Sequence, residues 1–532
     1  MYSTTAFTSK TVPCLRIPVQ PKTEQRVKML IRAVQFLPFV PYTLGLVAIG
    51  LFIVPLIQYM WDADGLRKYP SPSFAALSPL WRIWHNIHQR HYVAVHEAHK
   101  RLGTHVRIAP DHISILEPGV ANEVYGHGAN MLKAGFYDGG AGVHRNLADT
   151  RDKPEHQAKR KMLAHVFAAK TVVSFEPLLV KTMDAFMEQI DSHSKSGTKI
   201  DMRLFLNYFT IDLFGRLLYG HELGCLARGN DLLDAEAQNG AVYKVPFIQS
   251  LLDATIVNTV MSLMPSLLPI TKPLFKNHPY KKKGTDWENI IYHNTKKRLN
   301  APDQDDLFRR LLKDSKGQAT NLGIGELIAE CSAMMNAGTE TTTAALTNTV
   351  FLLYTHPRVL EKLRVEIDAA MPGRARPTYE EASKLPYLRA CIEESLRVRP
   401  ASSFGLPRIV PQGGRVIAGK FVEGGVTVSV PTYSLLRQED VFENPTEYIP
   451  DRWMTADKEK KALMMQNHLP FSTGPRACIG RNIAYFEQIL VIATLVKFYD
   501  FKIPPGFELE TQERFNSNAG NLLVGAEKRQ LC

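Results

Sequence analysis

Apolar residues form one uninterrupted stretch near the start of the chain. Residues 33–61 contain no charged side chain. A continuous helix from Pro41, which suits a first helical turn, to Tyr59 would be roughly 27 Å long, enough to cross a bilayer core. We therefore predict a transmembrane helix at 33–61, preceded by an N-terminal tail at 1–32.

Beyond this stretch the pattern predicts mostly helices. Residues 81–101, the run from Gly325 to Tyr354 and the segment from Asn482 to Tyr499 have helical spacing. The alternating run "HVRIAPDHISIL" predicts a short hairpin, and residues 404–433 read as strands punctuated by glycines. The expected fold class is mainly α with small β-sheets (α+β).

The chain contains no internal repeat and no disordered linker, so one large domain is predicted over residues 81–532. The Pro/Ser-rich segment 62–80 reads as a hinge before it. Residues 245–270 are apolar but broken by three prolines, so core packing is the expected role. Insertion of this surface into a bilayer is the alternative.

Charge and cysteine usage narrow the function classes. The formal net charge is +12, but the basic residues are scattered and not interleaved with aromatics, which argues against nucleic-acid binding. An acidic protein partner or an anionic membrane surface suits this balance better. The cysteines have no zinc-like or paired spacing, which predicts free thiols in a reducing compartment; they are Cys14, Cys225, Cys331, Cys391, Cys478 and Cys532.

One of these thiols lies in an unusual place, the stretch "PFSTGPRACIG". Free cysteines usually pack as small apolar residues, yet Cys478 lies among glycines and a proline, on a stiff loop. A thiolate held in this way can serve as the axial ligand of haem iron. Arg476 could then pair with a haem propionate, and the helix after the loop would direct its positive end towards the thiolate.

The loop also carries a recognisable motif. Phe471, Gly474, Arg476, Cys478 and Gly480 resemble the F-x-x-G-x-R-x-C-x-G haem loop of the cytochrome P-450 monooxygenases, a specific motif. The resemblance implies the P-450 fold, with haem b (iron protoporphyrin IX) between the long helix and the loop. Cys478 would be the metal ligand, and Phe471, Gly474 and Arg476 would contact the cofactor.

A second motif of that family is structural. Glu394 and Arg397 in "ESLR" lie one helical turn apart, so they can form a buried ion pair. Arg452 in "PDRW" resembles the third member of the family's network. A surface salt bridge is the alternative for so common a spacing.

The long helix carries the candidate catalytic residues. Threonines crowd "AGTETT", although β-branched residues are mediocre helix formers. The Thr341 hydroxyl can bond the carbonyl of Ala337, four residues back. By resemblance, Thr341 hydrogen-bonds the oxygen bound at the iron, and Glu340 belongs to the proton-delivery path. The alternative is a polar stripe on a solvated helix.

Three more basic residues match the family's propionate partners. His156 and Arg160 lie at positions i and i+4 of a predicted helix, hence on one face. Many family members have Trp where this chain has His156, but His can also donate a hydrogen bond. Arg408 in "GLPR" matches another usual partner. For each residue alone, a surface position is the alternative.

The resemblance implies transfer of one oxygen atom from O2 to an organic substrate. NADPH would supply electrons through NADPH-cytochrome P-450 reductase, with cytochrome b5 as an optional further donor. The basic residues before the span favour a cytosolic N-terminus. Haem supply and the reductase imply instead a single-pass protein of the endoplasmic reticulum membrane with its catalytic domain in the cytosol, and we adopt this orientation.

Several segments resemble the fungal benzoate para-hydroxylases, among them "VYGHGANMLKAGFYD" and "VSVPTYSLLR". A small aromatic acid needs a cationic or hydrogen-bonding group in an apolar pocket. The candidates are Lys133, Tyr137, His144, Ser402 and Ser403. This chain departs from that subfamily because Glu340 replaces the usual Asp. The second interpretation is a fungal secondary-metabolite enzyme oxidising a larger polyketide, terpenoid or alkaloid intermediate.

A third interpretation comes from another class, a haem protein that does not hydroxylate, such as a sensor, carrier or isomerase. Such proteins usually lose the acid and the alcohol in the long helix. This chain has both, as Glu340 and Thr341, which favours the monooxygenase.

Overall fold

The computed structural model describes residues 50, 53–314 and 316–530. The chain divides into two compact units, Met1–Trp61 and Asp62–Cys532. In the first unit, helix α1 spans Val54–Trp61. The rest of the predicted transmembrane segment 33–61 lies outside the described residues, except for Gly50 and Ile53.

Among the described residues, no single helix is both long and apolar enough to cross a membrane. Two segments, Phe247–Ser262 and Pro265–Leu274, reach that length and apolarity only when taken together, and the chain bends by 99° between them.

The second unit is built mainly from helices. Those described are α2 (Leu80–Ile87), α3 (His91–Leu102), α4 (Val120–Tyr125), α5 (Lys153–Ala164), α6 (Ala169–Val173), α7 (Glu176–Ser196), α8 (Met202–Tyr219), α9 (Cys225–Arg228), α10 (Phe247–Ser262), α11 (Leu268–Leu274), α12 (Pro279–Leu299), α13 (Leu307–Leu312), α14 (Ile324–Thr355), α15 (Pro357–Ala370), α16 (Tyr379–Ala382), α17 (Pro386–Val398), α18 (Thr432–Leu435), α19 (Lys458–Asn467) and α20 (Arg481–Phe498).

The strands are short. They are β1 (His105–Ala109), β2 (His112–Ile115), β3 (Leu132–Lys133), β4 (Ile200–Asp201), β5 (Leu232–Glu236), β6 (Val242–Pro246), β7 (Arg408–Ile409), β8 (Arg415–Ile417), β9 (Lys420–Val422), β10 (Thr427–Ser429), β11 (Tyr499–Lys502), β12 (Thr511–Glu513), β13 (Ser517–Ala519) and β14 (Leu523–Lys528).

The largest sheet has the order β1-β2-β10-β7-β3. Its β2–β10 pair is parallel, with Val428 opposite Ile113, and its other pairs are antiparallel. A second sheet has the order β11-β14-β4, and β5-β6, β8-β9 and β12-β13 are hairpins. The main core lies among the helices, where α14 packs against α8, α17 and α20.

The predicted fold class, mainly α with small sheets, is confirmed. The long helix and the helix after Cys478 begin and end within one residue of the predicted positions. Residues 81–101 form two helices, because Gln89 between them has a positive φ of 57°. The β5-β6 hairpin was not predicted because the surrounding sequence is helical in texture, although Asn239-Gly240 in its turn is a hairpin signal.

The Pro/Ser-rich segment 62–80 and the apolar segment 245–270 both pack against the rest of the second unit. In 62–80, the predicted hinge, Leu66 and Tyr69 are 2% and 3% exposed, and the Ser71 hydroxyl donates to the Arg107 carbonyl at 2.9 Å. Within 245–270, the side chains of Phe247, Leu251 and Met261 are buried, as expected for core packing.

Helix α20 carries a carboxyl group into the core. The side chain of Glu487 is fully buried, and Thr342 of α14 is the polar side chain that interacts with it. Burial raises the pKa of Glu487 well above its ordinary value of 4.5, and Thr342 offsets only part of that rise. Burial therefore favours the protonated form of Glu487 in the folded protein.

This retained proton makes stability depend on pH. Unfolding releases it at any pH above about 4.5, so the free energy of unfolding falls as pH rises towards the pKa of the folded state. We expect Glu487→Gln, which removes the titrating proton, to stabilise the protein more at pH 8 than at pH 5. Denaturant unfolding at both pH values measures this, with the exposed Glu508→Gln as control. An equal effect at both pH values would contradict the buried, protonated carboxyl.

Candidate active site

The loop before α20 is held rigidly by its backbone. The Cys478 N–H donates to the Phe471 carbonyl at 2.9 Å and closes the loop. Gly474 has a φ of +74°, and a Cβ there would lie 1.9 Å from the Tyr125 carbonyl oxygen. Only glycine fits this position, because both its conformation and its space exclude a side chain. Arg476 secures the loop by donating to the Arg151 carbonyl at 2.9 Å.

The thiol of Cys478 faces an internal space. Its side chain is exposed, and a cavity of about 210 Å³ has Cys478 and Arg160 in its wall. Loss of hydration raises the pKa of the thiol, whereas the Gly480 N–H, Arg160 and Arg481 lower it. The same groups would stabilise a thiolate once a metal ion had displaced the proton.

Helix α14 has one exposed residue in its middle. Ala337 is exposed in mid-helix, although Met335 and Thr339 beside it are buried. The Thr341 hydroxyl donates to the Ala337 carbonyl at 2.7 Å, as the spacing predicts. Because Thr339, Thr342 and Thr343 are buried, the threonines are not a stripe on a solvated helix.

Glu340 is buried beside Thr341, on a different face of α14. It is 6% exposed, and its Oε2 accepts a hydrogen bond from Asn516 Nδ2 at 3.1 Å. Burial raises the pKa of Glu340, and the amide of Asn516 and the charges of Arg514 and Arg203 oppose the rise only in part. Such a carboxyl can hold a proton near neutral pH and release it.

Five basic side chains come together between α5, the strand pair β3-β7 and the cysteine loop. We call this set the basic cluster: Lys133, His156, Arg160, Arg408 and Arg476. Lys133, His156 and Arg408 are 6%, 4% and 3% exposed. Helix α5 places two members one turn apart, and its start is set by the Asp152 side chain, which accepts from the Glu155 N–H at 2.8 Å.

The members of the cluster repel one another. Burial, Arg408 and Arg476 lower the pKa of Lys133 well below its ordinary value. Burial, Arg476 and Lys133 lower the pKa of His156 to about 3. Among the described residues, none of the five forms an ion pair with a carboxylate. Cations buried without a carboxylate partner are costly, so the arginines and Lys133 of the cluster fit a ligand that brings its own negative charge.

Behind the cysteine loop lies the predicted ion-pair network, and it is buried. Arg397 donates to both oxygens of Glu394, at 2.8 and 2.9 Å, and Arg452 and Trp453 each donate to one at 2.9 Å. Burial would raise the pKa of Glu394, but Arg397 and Arg452 hold it below its ordinary value. The surface alternative is therefore wrong, since Glu394 and Arg397 have no exposed side-chain surface.

Comparison with known proteins agrees with this geometry. The chain matches the sequence profile of the family Cytochrome P450 over residues 72–532. The chain belongs to this family. Among its relatives is a benzoate 4-monooxygenase of Aspergillus niger, 32% identical over 511 residues that cover 92% of this chain and 97% of the relative. An averantin hydroxylase of Dothistroma septosporum is 28% identical, covering 87% and 85%.

Solved structures show the same fold. The haem domain of cytochrome P450DA superposes with a TM-score of 0.71 at 18% identity, over 87% of this chain and 98% of that one. This chain is therefore a P450 monooxygenase whose cofactor is haem with a cysteine thiolate as axial ligand.

The residues present fit that cofactor. Haem carries two propionates, and the basic cluster supplies cations that lack carboxylate partners. Cys478 is the cysteine on the loop of the family motif, and its thiol faces a cavity. The other described cysteines, Cys225, Cys331 and Cys391, are buried and free. When bound, the haem activates dioxygen, and Cys478 and the basic cluster are the residues that would hold it.

The structure brings most of the sequence-predicted site residues together. His156, Arg160, Arg408 and Arg476 share the basic cluster, Phe471 and Gly474 shape the loop of Cys478, and Glu340 and Thr341 are neighbours on α14. Lys133, which the sequence suggested for the substrate, also belongs to the cluster, and its Nζ donates to the Ala148 carbonyl. Only the pairing of β3 with β7 reveals this, because Lys133 lies opposite Arg408 there.

The assignment of Lys133 to the propionates can be tested through haem retention. Replacing Lys133 by Met removes a charge-assisted hydrogen bond worth about 1.5–3 kcal/mol, so haem should dissociate at least about tenfold faster. Transfer of haem from the variant to apomyoglobin measures the rate. The control is Lys153→Met, since Lys153 is exposed and bonded to Asn130. An unchanged dissociation rate in the Lys133 variant would remove this residue from the propionate site.

Proposed function

We propose that this P450 is a fungal, membrane-anchored monooxygenase that hydroxylates a small aromatic acid of the benzoate class. The relative named benzoate 4-monooxygenase, similar over almost its whole length, supports the substrate class. The observation that carries the proposal is a set of aromatic side chains that adjoins the basic cluster.

We call that set the aromatic wall: Phe136, Tyr137, Phe404 and Phe515. The ring centroid of Phe136 lies 5.2 Å from that of Phe404 and 6.0 Å from that of Phe515. Tyr137 packs edge-on against Phe136 at 5.5 Å. Such a wall suits a flat aromatic substrate.

Tyr137 supplies a polar group at the edge of the wall. Its hydroxyl accepts a hydrogen bond from Arg408 Nη1 at 2.8 Å, so its own proton is available to a further acceptor. A substrate carboxylate is a suitable acceptor. The other candidates fit less well: exposed His144 packs against Gly325 at the start of α14, and buried Ser403 donates to Pro400.

Two residues of α14 would handle protons. Glu340, whose pKa is raised by burial, would supply a proton towards the bound dioxygen. Thr341 would receive and orient that proton, because the Ala337 carbonyl positions its hydroxyl. Electrons would come from NADPH through NADPH-cytochrome P450 reductase, with cytochrome b5 as an optional donor.

The same proposal includes the location of the protein. The uncharged stretch 33–61 would anchor it as a single span in the endoplasmic reticulum membrane, with residues 62–532 in the cytosol. An uncharged, predominantly apolar stretch of that length supports the span.

A second candidate substrate is a larger secondary-metabolite intermediate. Relatives at 27–29% identity include the averantin hydroxylase and several fungal cytochrome P450 monooxygenases. Their identities are only slightly below that of the benzoate 4-monooxygenase.

Titration of the purified ferric protein with benzoate tests the substrate class. We expect a saturable low-to-high-spin shift of the Soret band, because a bound aromatic acid displaces the water on the iron. The neutral analogue benzamide should bind more weakly. In Tyr137→Phe, loss of one hydrogen bond to the carboxylate, about 1.5–3 kcal/mol, should raise the benzoate Kd at least about tenfold.

Tyr433→Phe is the matched control, because Tyr433 packs on Tyr92 and Arg437, away from the aromatic wall. If wild-type protein with an intact thiolate-haem spectrum showed no shift, the benzoate class would be wrong and the larger intermediate would be favoured.

A further inference from the structure

A small polar cavity adjoins Glu340. It lies where α14 meets the first turns of α8 and the strand β13, and it has a volume of about 10 Å³, room for one water molecule. Its polar walls come from Arg203, Asn207, Glu340 and Asn518, and the start of α10 closes it with apolar side chains.

Three atoms around this cavity lack hydrogen-bond partners. They are Glu340 Oε1, Asn207 Nδ2 and Asn518 Nδ2, and their residues are 6%, 5% and 4% exposed. Each unsatisfied buried polar group costs about 1–3 kcal/mol. A buried water needs two to four polar partners, and these three atoms supply them.

The chemistry of the partners orients this water. Two amide N–H groups donate, so the water oxygen accepts from Asn207 and Asn518 and keeps both its hydrogens to donate. The acceptor in the wall is Glu340 Oε1. Asn516 meanwhile holds Oε2 at 3.1 Å, which fixes the carboxyl so that Oε1 points to the cavity.

The cavity wall includes one partly exposed charged residue, Arg203 in the first turn of α8. Arg203 lies within electrostatic reach of Glu340 and also of Asp201 and Asp231. The buried carboxyl and a charged region at the start of α8 therefore adjoin the same cavity.

We propose that Asn207 and Asn518 are positioning residues that hold one water on Glu340 Oε1, and that this water resupplies Glu340 with protons from the Arg203 side. The inference rests on the proposed proton-donor role of Glu340. After Glu340 gives up its proton, the water donates one to Oε1 and breaks its own O–H bond. In the same step the water takes a proton from solvent on the Arg203 side, so one O–H bond forms as the other breaks, no hydroxide is left, and charge and atoms balance.

The test compares Asn207→Leu and Asn518→Leu with wild type, as holoenzymes reconstituted with NADPH-cytochrome P450 reductase. Each variant removes one donor and fills the cavity. We expect NADPH oxidation to slow about tenfold, less than the ~10²–10⁴-fold contribution of a positioned proton donor itself, because these residues act through the water. We also expect a larger rate decrease in D2O and more peroxide per NADPH than in wild type, effects that a merely structural role would not produce.

Asn294→Leu is the matched control. Asn294 is 5% exposed; its amide donates to the Ile290 carbonyl at 2.9 Å and also interacts with His221, and it is not in the wall of the cavity at Glu340. Asn518→Ala is a milder second variant if the Leu variants lose the thiolate-type spectrum of the ferrous CO complex. Wild-type rates and D2O effects in both Asn207 and Asn518 variants would overturn the inference.

Two further results separate this inference from the proposed function. If Glu340→Gln slows NADPH oxidation but the asparagine variants do not, the water route is wrong and the role of Glu340 stands. If Glu340→Gln behaves as wild type, the proposed role of Glu340 fails first. A high-resolution crystal structure supplies a readout independent of activity. It should show one water contacting Glu340, Asn207 and Asn518, absent in Asn518→Leu, and an empty cavity in wild type would overturn the inference.

Discussion

Mutual repulsion among the basic cluster is the constraint on which the site depends. Lys133, His156 and Arg408 are buried, and the cations around them lower the pKa of the first two. The fold brings these residues from α5, β3 and β7 to one place with no carboxylate in ion-pair contact among the described residues, so a bound anion would offset their repulsion. Haem propionates answer this need, which links stability of the folded protein to cofactor binding.

A separate set of interactions fixes the position of the Cys478 thiol. The loop of Cys478 is closed on Phe471 and fits the Tyr125 carbonyl only because residue 474 is glycine. The buried Glu394 network behind it ties α17 to the segment around Arg452. Removing one partner of such a network typically costs about 3–5 kcal/mol. Rigid surroundings of this kind keep the Cys478 thiol in one position.

Features formed by residues that are adjacent in the sequence could be predicted, whereas contacts between residues far apart in the chain could not. The glycines, proline and thiol of the cysteine loop are adjacent in sequence, and so are Glu340 and Thr341, so their relation could be deduced without a structure. The sequence could not assign Lys133, because its neighbour Arg408 is 275 residues away and meets it only through the pairing of β3 with β7. The cavity at Glu340 was equally hidden, since Asn207 and Asn518 come from a helix and a strand far apart in the chain.

The absorption spectrum of the ferrous CO complex tests the central claim most directly. If Cys478 ligates the haem, the wild-type protein should show the red-shifted Soret band that a thiolate opposite CO produces, and Cys478→Ser should lose it. Cys391→Ser, which alters a buried free cysteine, should keep that band. A thiolate-type spectrum that survives in Cys478→Ser would contradict the account, because another cysteine would then have to hold the iron.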